Sequence, residues 1–477
     1  MGKLSNLEKG YSFDDVSLIP KKSDIRTRKE VDLTTRVSKN VKLKAPLIAS
    51  PMLDVACSKL GIVVAREGGT SIMHRYCTIE DQVNEVLKVK RSDAPVITNP
   101  YTLKINDRVT NAINIMDKHG ISGIPVIDNR GFLKGIVTSK DVWSEKDKNA
   151  RVKSIMTGLE NLVYRKENIT LEEAENLLRQ KRIGKLPLVD ERGHLRGIIT
   201  GGALKKLNSY LNAARDSEGR LIVGGAVGAT GDYLERTAAL IEAGADFIDV
   251  DLAHGHSETC IKAVEKIKRD YSIDVIAGAI ATKEAAIDLI ACGADGLRVG
   301  VGPGSMCKTR VVTGSGVPQL TALENCYEVA KDHNVPIIGD GGIRNSGDVV
   351  KAMAVGASSL IIGWLFAGTD ESPGFIFEKD GKMVKRYKGM ASSEANLERK
   401  RAEHREFSSD EINEYSAEGV ESSVLYKGPI IPLIKKLVGG IKSGFSYSGA
   451  RNFEELLEKS ELILQTQSGV TEGKPRE

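Results

Sequence analysis

A cysteine and a threonine lie two residues apart at the end of a glycine-rich segment. Among the residues of this chain, these two are the strongest candidates for a catalytic role. The segment is Gly300-Val301-Gly302-Pro303-Gly304-Ser305-Met306-Cys307-Lys308-Thr309. Alternating glycines let a backbone turn sharply and approach a ligand, because no Cβ is in the way. Carbonyls of such a turn can coordinate a cation and its amides can hold a phosphate. Cys307 is a candidate nucleophile, although a structural turn with a buried thiol explains the same residue types.

The composition excludes several classes of function. The 477 residues include 68 basic and 64 acidic side chains without a long basic stripe, which argues against nucleic acid as the main partner. The six cysteines lack metal-ligand spacing and fit a reducing compartment better than a disulfide framework. Residues 1–22 have no apolar signal core, and no run of about 18 apolar residues occurs. We therefore expect a cytoplasmic protein that does not bind a membrane.

Short apolar segments alternate with stretches of helical periodicity, which predicts an α/β fold. The predicted strands are residues 45–50, 69–74, 221–226, 245–251, 275–278, 296–299, 335–339 and 359–362. Eight such units predict a TIM (β/α)8 barrel, whose chemistry lies on the loops after the strands. The polar residues and glycines that follow these strands obey that rule. A Rossmann sheet is the alternative fold, but its Gly-x-Gly-x-x-Gly signature is missing after the first strand.

An internal repeat interrupts this pattern, since residues 97–147 and 153–207 look like two copies of one unit. Each copy has a helix, a strand, a polar turn, a second strand and a closing helix. The pair resembles tandem CBS domains, which implies an adenine or guanine nucleotide ligand; two generic α/β repeats without a ligand are the alternative. Ribose or phosphate contacts of the first copy would fall on Thr138, Ser139 and Asp141. The second copy has two glycines there, so we expect only one copy to bind well.

Further motifs are similar to those of the IMP dehydrogenase/GMP reductase family. They are the cysteine segment, Asp340-Gly341-Gly342, Tyr387-Lys388-Gly389-Met390, Tyr426-Lys427-Gly428-Pro429 and Leu437-Val438-Gly439-Gly440. The resemblance covers nearly the whole chain. It implies a barrel built from residues 1–92 and 208–477, a tandem CBS (Bateman) domain at 93–207, and a mobile flap at about 392–417. It also implies a homotetramer, or an octamer if CBS pairs stack.

The resemblance assigns roles to individual residues. Cys307 would attack carbon 2 of GMP or IMP and form a covalent intermediate, with Thr309 and Glu418 as a proton relay and Arg405 in the flap. Substrate would be bound by Ser50, Met52, Ser305, Asp340, Gly342, Gly363, Trp364, Tyr387, Gly389 and Met390. A nicotinamide dinucleotide would be held by Asp251, Ala253, Gly300 and Gly302. Potassium would be bound by carbonyls of Gly302, Gly304 and Cys307.

Some of these residues also have structural interpretations. Asp340 would accept the ribose hydroxyls of the substrate, but it could instead cap a turn. Asp251 would accept those of the cofactor, but it could instead form a local ion pair. Arg310, next to the cysteine, would help to lower the thiol pKa.

Two positions favour a reductase over a dehydrogenase. Family dehydrogenases oxidise IMP with NAD and use a flap Arg-Tyr pair to activate water, whereas this chain has Arg405-Glu406-Phe407. Leu252 directly follows Asp251, where dehydrogenases carry Ser or Thr. The prediction is therefore a GMP reductase that uses NADP. The alternatives are an IMP dehydrogenase that uses NAD, and a catalytically weak purine-nucleotide sensor.

Four departures from the family pattern bear on activity. Lys308 lies between Cys307 and Thr309, where a small or apolar residue is usual. Ala279 replaces a substrate-contacting asparagine, Leu53-Asp54 replaces Asp-Thr, and Trp364 follows Gly363 where Ser or Gly is usual.

Overall fold

The computed structural model describes residues 7–402, 416–473 and 475. The chain divides into two compact units. The barrel unit comprises Met1–Lys90, Asn212–Asp216 and Leu221–Glu477, and the inserted unit comprises Arg91–Leu211 and Ser217–Arg220.

The barrel unit is built on a closed sheet of eight parallel strands within the described residues. In chain order these strands are β1 (Leu47–Ala49), β2 (Thr70–Met73), β3 (Gly224–Val227), β4 (Phe247–Asp251), β5 (Asp274–Ile280), β6 (Gly296–Val299), β7 (Ile337–Asp340) and β8 (Ala357–Ile362). Each strand pairs with the next, and β8 pairs with β1 to close the ring. The predicted (β/α)8 barrel is confirmed. The third predicted strand begins at residue 224 and not at 221, and the other strand ends lie within two residues of prediction.

Helices follow the strands on the outside of the barrel. They are α1 (Ser58–Arg66), α2 (Ile79–Ser92), α3 (Tyr233–Glu242), α4 (Glu258–Asp270), α5 (Lys283–Ala291), α6 (Gln319–Ala330), α7 (Ser346–Ala354) and α8 (Ile430–Tyr447). Helix α8 packs against both α7 and α1, so it completes the ring of helices.

The interior of the barrel changes from apolar to polar along the strands. Inward side chains recur at every second residue, and one apolar cluster contains Ile48, Ile72, Ala226, Phe247, Ile276, Ile338 and Ile361. Full burial of such a side chain stabilises a fold by about 1.5–3 kcal/mol. Two residues further along the same strands are Ser50, His74, Gly228, Asp249, Gly278, Asp340 and Gly363. The apolar layer thus closes the barrel beneath a polar layer at the carboxyl ends of the strands, where (β/α)8 enzymes bind substrates.

Smaller elements of the barrel unit surround that end. A three-stranded antiparallel sheet joins Phe377–Lys379, Lys382–Lys388 and Glu421–Leu425, and a helix, here called the flap helix, spans Ser393–Ala402. Val16–Leu18 pairs with Leu462–Leu464, and Thr35–Arg36 with Lys42–Leu43. Short helices lie at Thr309–Thr313, Phe453–Lys459 and Gln467–Glu472.

The inserted unit contains two four-stranded sheets with the same layout. In the first sheet the strands lie side by side in the order Thr157–Gly158, Leu133–Thr138, Gly123–Ile127 and Leu103–Lys104. The corresponding order in the second sheet is Val96–Ile97, Leu195–Thr200, Lys185–Val189 and Arg165–Lys166. Their helices are Val109–His119, Ser139–Ser144, Val152–Ile155, Leu171–Lys181 and Gly201–Ser209. Each sheet has its own apolar core.

In the part of the chain that the structure describes, no helix combines the length and apolar character needed to cross a membrane.

Candidate active site

The segment of residues 300–309, called the cysteine loop from here on, leaves β6 and passes close to the end of β7. Gly300 has a φ angle of 149°, and a Cβ at this position would lie 2.1 Å from the Asp340 carbonyl oxygen. Only glycine therefore fits where the loop begins. Arg310 Nε donates to the Val301 carbonyl at 3.0 Å, and its Nη2 donates to the Val317 carbonyl. These bonds fix the loop backbone, and the effect of Arg310 on the thiol stays a prediction.

Cys307, Thr309 and Glu418 form a continuous hydrogen-bonded chain. Thr309 Oγ1 donates to Glu418 Oε2 at 2.7 Å, and Cys307 Sγ lies 3.1 Å from the same hydroxyl oxygen. Since the hydroxyl has one proton and donates it to the carboxylate, the thiol is the donor toward Thr309. A proton therefore has a direct path from the exposed thiol to the carboxylate, and the predicted relay residues do lie together.

Backbone hydrogen bonds hold Glu418 beside the cysteine loop, although 109 residues separate it from Thr309. The Lys308 N–H donates to the Glu418 carbonyl at 2.6 Å. Cys307 and Gly419 form an isolated antiparallel bridge. This two-sided attachment orients the carboxylate toward Thr309.

A cavity of about 530 Å³ is lined by Gly304 and Ser305 of the loop that carries Cys307. Among the described residues, Cys307, Thr309 and Glu418 are not part of its lining. Predicted site residues that line it are Ser50, Met52, Gly304, Ser305, Asp340, Gly342, Gly363, Trp364 and Tyr387. Gly389 and Met390 are not part of this lining within the described residues, but a Cβ on Gly389 would lie 3.0 Å from the Met306 carbonyl oxygen. Gly389 therefore borders the cysteine loop.

Tyr387 is buried in the cavity wall with its hydroxyl 3.4 Å from Met52 Sδ. Burial raises the pKa of the Tyr387 phenol, although a hydrogen bond with Ser305 opposes this change. The phenol therefore stays protonated and can donate a hydrogen bond into the cavity. Gly363 is required beside it, because a Cβ there would lie 2.7 Å from the hydroxyl.

Three carboxylates at the ends of β4 and β7 surround the Arg298 guanidinium. Arg298 Nη2 donates to Asp251 Oδ1 at 2.5 Å, Nη1 donates to Asp249 Oδ2 at 3.2 Å, and Nε lies 3.8 Å from Asp340 Oδ2. Burial opposes ionisation of Asp251, but Arg298 and Arg75 outweigh it and hold the pKa of this carboxyl below its ordinary value. Burial raises the pKa of Asp340, with Arg298 opposing.

Asp251 thus forms the local ion pair that was predicted from the sequence as the alternative to binding a ribose. Its side chain is still 18% exposed, so part of the carboxylate remains accessible to a ligand. Ala253, two residues later, is exposed on the loop after β4.

Comparison with known proteins identifies the family. The model of the IMP dehydrogenase / GMP reductase domain matches residues 10–476. The chain belongs to the IMP dehydrogenase/GMP reductase family. It is similar to inosine-5'-monophosphate dehydrogenase of Nitrosopumilus maritimus, with 45% identity over 98% of both chains. It is also similar to GMP reductase of Leishmania major, with 43% identity over 99% of this chain and 98% of that one.

Solved structures of the family include a close match in fold. A cysteine-to-alanine variant of GMP reductase from Trypanosoma brucei, crystallised in complex with guanosine 5'-monophosphate, has a TM-score of 0.93 and 40% identity, with both chains covered completely. The same enzyme in complex with guanosine 5'-triphosphate has a TM-score of 0.81, 38% identity, and covers 97% of this chain.

In this member of the family, the flap helix is attached to the barrel by charged side chains. Glu398 Oε1 lies 2.5 Å from Lys388 Nζ, and Asp54 accepts the Lys388 N–H at 2.8 Å. The Arg399 guanidinium lies over the Tyr76 ring at 5.7 Å. The departure at Asp54 therefore has a structural role. Arg405, with the rest of residues 403–415, lies outside the described residues.

Trp364, a departure from the family pattern, lines the cavity under a lysine. Lys427 Nζ lies 4.6 Å from the centre of the Trp364 ring and donates to the carbonyls of Trp364, Leu365 and Ala367. Burial lowers the pKa of Lys427 to about 8. The lysine thus fixes the turn after β8, and the indole forms a wall of the cavity.

Sequence reasoning missed residues that the fold brings to this site. They are Ser12, Phe13, Asp14, Asp249, Arg298, Gln319 and Arg344. A usable signal existed for Arg298, because a charged residue inside an otherwise apolar predicted strand requires a buried partner. The segment 12–14 carried no such signal, since distant residues hold it in place. Among these contacts are the ion pair between Asp14 and Arg344 at 2.7 Å and the hydrogen bond from Lys351 Nζ to the Phe13 carbonyl at 2.9 Å.

Proposed function

We propose that this chain converts GMP to IMP and ammonia with reducing equivalents from NADPH, through a covalent intermediate on Cys307. The single observation that carries the proposal is the hydrogen-bonded chain from Cys307 through Thr309 to Glu418. Attack on carbon 2 of a guanine has to be accompanied by protonation of the departing amine. A thiol that already donates toward a hydroxyl–carboxylate pair supplies both the nucleophile and that proton.

The first half of the reaction then balances within the protein and substrate. The Cys307 sulfur forms a bond to carbon 2, and the bond from carbon 2 to the exocyclic nitrogen breaks. The proton that leaves the thiol passes through Thr309 and Glu418 to the amine, which departs as ammonia. Asp340 accepts the ribose hydroxyls, and the Tyr387 hydroxyl, which also lines the cavity, donates to the nucleotide.

The second half requires the nicotinamide cofactor, which supplies a hydride to carbon 2 when bound. The bond from carbon 2 to sulfur then breaks, and Cys307 regains a proton from the relay. Asp251 suits the cofactor ribose, because its carboxylate is ionised and partly exposed beside the nucleotide cavity. The balanced reaction is GMP, NADPH and a proton to IMP, NADP and ammonia.

Potassium would be held by the carbonyls of Gly302, Gly304 and Cys307. These carbonyls belong to the turn that carries the nucleophile, and Gly302 adopts a φ of 82°. Carbonyl oxygens are the ligands that potassium uses in proteins. Among the described residues, no cluster of His, Cys, Asp or Glu would hold a metal ion by side chains.

An IMP dehydrogenase is the second candidate, because relatives of that name are as similar in sequence as the reductases. Leu252 favours the reductase. Its backbone N–H donates to the Gly278 carbonyl and its carbonyl accepts from the Ala279 N–H, so both backbone groups are bonded to the end of β5. A leucine side chain has no hydroxyl to offer beside Asp251. The Trypanosoma brucei relative crystallised with GMP supports the same choice of substrate.

The deciding experiment compares GMP plus NADPH with IMP plus NAD in potassium buffer, followed at 340 nm. We expect absorbance to fall with GMP, and Cys307→Ala to abolish this change. A rise with IMP and no change with GMP would assign the dehydrogenase. Nucleotide binding without turnover in either mixture would assign the sensor.

For the inserted unit we propose a CBS pair that binds a purine nucleotide at Thr138, Ser139 and Asp141. Thr138 Oγ1 donates to Asp141 Oδ2 at 2.6 Å, so the two side chains form one polar edge at the start of a helix. A relative crystallised with guanosine 5'-triphosphate supports the ligand class. Asp141→Ala should lower the thermal shift caused by GTP or ATP, and an unchanged shift would contradict the assignment. Size-exclusion chromatography with and without nucleotide would test the expected tetramer and octamer.

A further inference from the structure

The donors of Arg298 are unequally used by the carboxylates around it. The side chain is 4% exposed, and its two terminal nitrogens donate to Asp249 and Asp251. Within the described residues its Nε has no hydrogen-bond partner, and it faces Asp340 Oδ2 at 3.8 Å. One planar fork therefore reaches toward three carboxylates that come from two strands, β4 and β7.

The charges in this layer do not balance if every carboxylate is ionised. Two arginines face three carboxylates here, those of Asp249, Asp251 and Asp340. The first arginine is Arg298, and the second is Arg75, whose Nε lies 4.0 Å from Asp251 Oδ2. Asp249 is fully buried, and its Oδ1 has no hydrogen-bond partner in the described part of the chain. Burial raises the pKa of Asp249 to about 7, although Arg298 opposes this change. Below about pH 7 the spare proton therefore resides mainly on Asp249, and Arg298 serves the other two carboxylates.

We infer that Arg298 is a positioning residue that holds the carboxylates for both riboses, Asp251 for the dinucleotide and Asp340 for the nucleotide, in one ion-pair network. The inference rests on the proposed function, which assigns those two riboses. Without the guanidinium, three buried carboxylates would share one remaining cation, and some of them would take up protons. A protonated carboxyl group accepts the two hydrogen bonds of a ribose diol less well than a carboxylate does. Both binding sites therefore depend on one side chain.

The inference predicts that replacing Arg298 changes two KM values, whereas replacing one of the carboxylates changes only one. Arg298→Lys keeps the charge but replaces a planar fork by a single nitrogen, which cannot reach both strands. We expect it to raise the KM for GMP and the KM for NADPH, each by about tenfold to a hundredfold. Asp251→Asn should raise only the NADPH value, and Asp340→Asn only the GMP value.

The matched control is Arg236→Lys. Arg236 is equally buried on α3, where it pairs with Asp232 at 2.6 Å and lies outside the site. We expect this variant to lose stability without a change in either KM. If Arg298→Lys behaved like Arg236→Lys, while the two asparagine variants acted as expected, the inference would be wrong and the proposed function would stand. If the asparagine variants left both KM values unchanged, the site assignment itself would fail.

A second variant, Asp249→Asn, keeps the inference testable if Arg298→Lys does not fold. The charged and titratable groups that face Asp249 are Arg298, Asp251, Asp340, Arg75 and Cys260. In the wild type, ionisation of Asp249 above about pH 7 draws Arg298 away from Asp251, so the KM for NADPH should rise from pH 6.5 to 8. In Asp249→Asn this rise should vanish. An equal rise of the KM for NADPH in the wild type and in Asp249→Asn would contradict the inference that the carboxylates share Arg298.

Discussion

Thr309 Oγ1 lies 2.7 Å from Glu418 Oε2, and this contact joins two parts of the chain that are 109 residues apart. The hydroxyl also faces Cys307 Sγ at 3.1 Å. Thr309 can therefore transfer a proton in either direction between the nucleophile and the carboxylate.

Glu418→Gln should lower kcat for GMP by about 10²- to 10⁴-fold, because the amide accepts the hydroxyl hydrogen bond but cannot take up a proton. The KM for GMP should change little, since Glu418 is not expected to hold the substrate. Steady-state kinetics at 340 nm measures both constants. Glu421→Gln is the matched control, because Glu421 pairs with Arg386 at 3.1 Å on the neighbouring strand. Equal kcat values for the two variants would exclude Glu418 from the relay.

Gly363→Ala should weaken nucleotide binding. The added Cβ would lie 2.7 Å from the Tyr387 hydroxyl and 3.2 Å from Met52 Sδ. Overpacking of this kind costs about 1–3 kcal/mol, so we expect the KM for GMP to rise on the order of tenfold. Gly439→Ala serves as control, since nothing lies within 4 Å of its added Cβ in α8. A wild-type KM in Gly363→Ala would show that the cavity does not hold the nucleotide.

The barrel and much of the site follow from the sequence because their signals are local. Alternating apolar residues fix each strand, and the polar residue that follows a strand is carried to the same end of the barrel. Cys307 and Thr309 are two residues apart, so their contact needs little more than the turn. Family motifs supplied Glu418, whose position no local spacing predicts.

The rest of the site depends on which surfaces meet after folding. Arg298 belongs to a strand predicted only as buried, and its partners Asp249 and Asp340 come from strands on either side of it along the chain. The contact of Lys427 with Trp364 likewise needs a segment 63 residues away. Such pairings depend on tertiary packing, and spacing in one sequence does not reveal them.

Glu398→Gln should loosen the flap helix and lower stability. Lys388 is 7% exposed, and within the described ranges its remaining acidic partner would be Asp54, whose Oδ1 is 3.9 Å away. A buried charge that loses a partner is costly, but Glu398 is 40% exposed, so we expect a loss of about 1–2 kcal/mol in the free energy of unfolding. Urea denaturation measures it. Glu394→Gln, exposed in the same helix, should have no effect, and equal losses in both variants would contradict the ion pair's contribution.

His74 should make the protein sensitive to mild acid. Burial lowers the pKa of His74 from 6.5 to about 4, so between these values the unfolded chain takes up a proton that the folded chain does not. Above pH 6.5 this group therefore does not lower the free energy of unfolding, and below pH 6.5 the free energy of unfolding falls as the pH decreases toward 4. The loss from this group at pH 5 is on the order of 2 kcal/mol.

His74→Gln should remove that part of the acid sensitivity. The measurement is the urea midpoint at pH 7 and pH 5 for the wild type, His74→Gln and the exposed control His333→Gln. The control should keep the full wild-type decrease. If His74→Gln also kept it, the buried imidazole would not be the group responsible.

The most direct test of the reductase mechanism uses GMP without any cofactor. After mixing and acid quenching, intact-mass spectrometry should show an adduct equal to GMP minus ammonia, located on the peptide that contains Cys307. Ammonia should appear in the same amount, and Cys307→Ala should give neither product. Absence of both products from the wild type, in a preparation that reduces NAD with IMP, would contradict the proposed reaction.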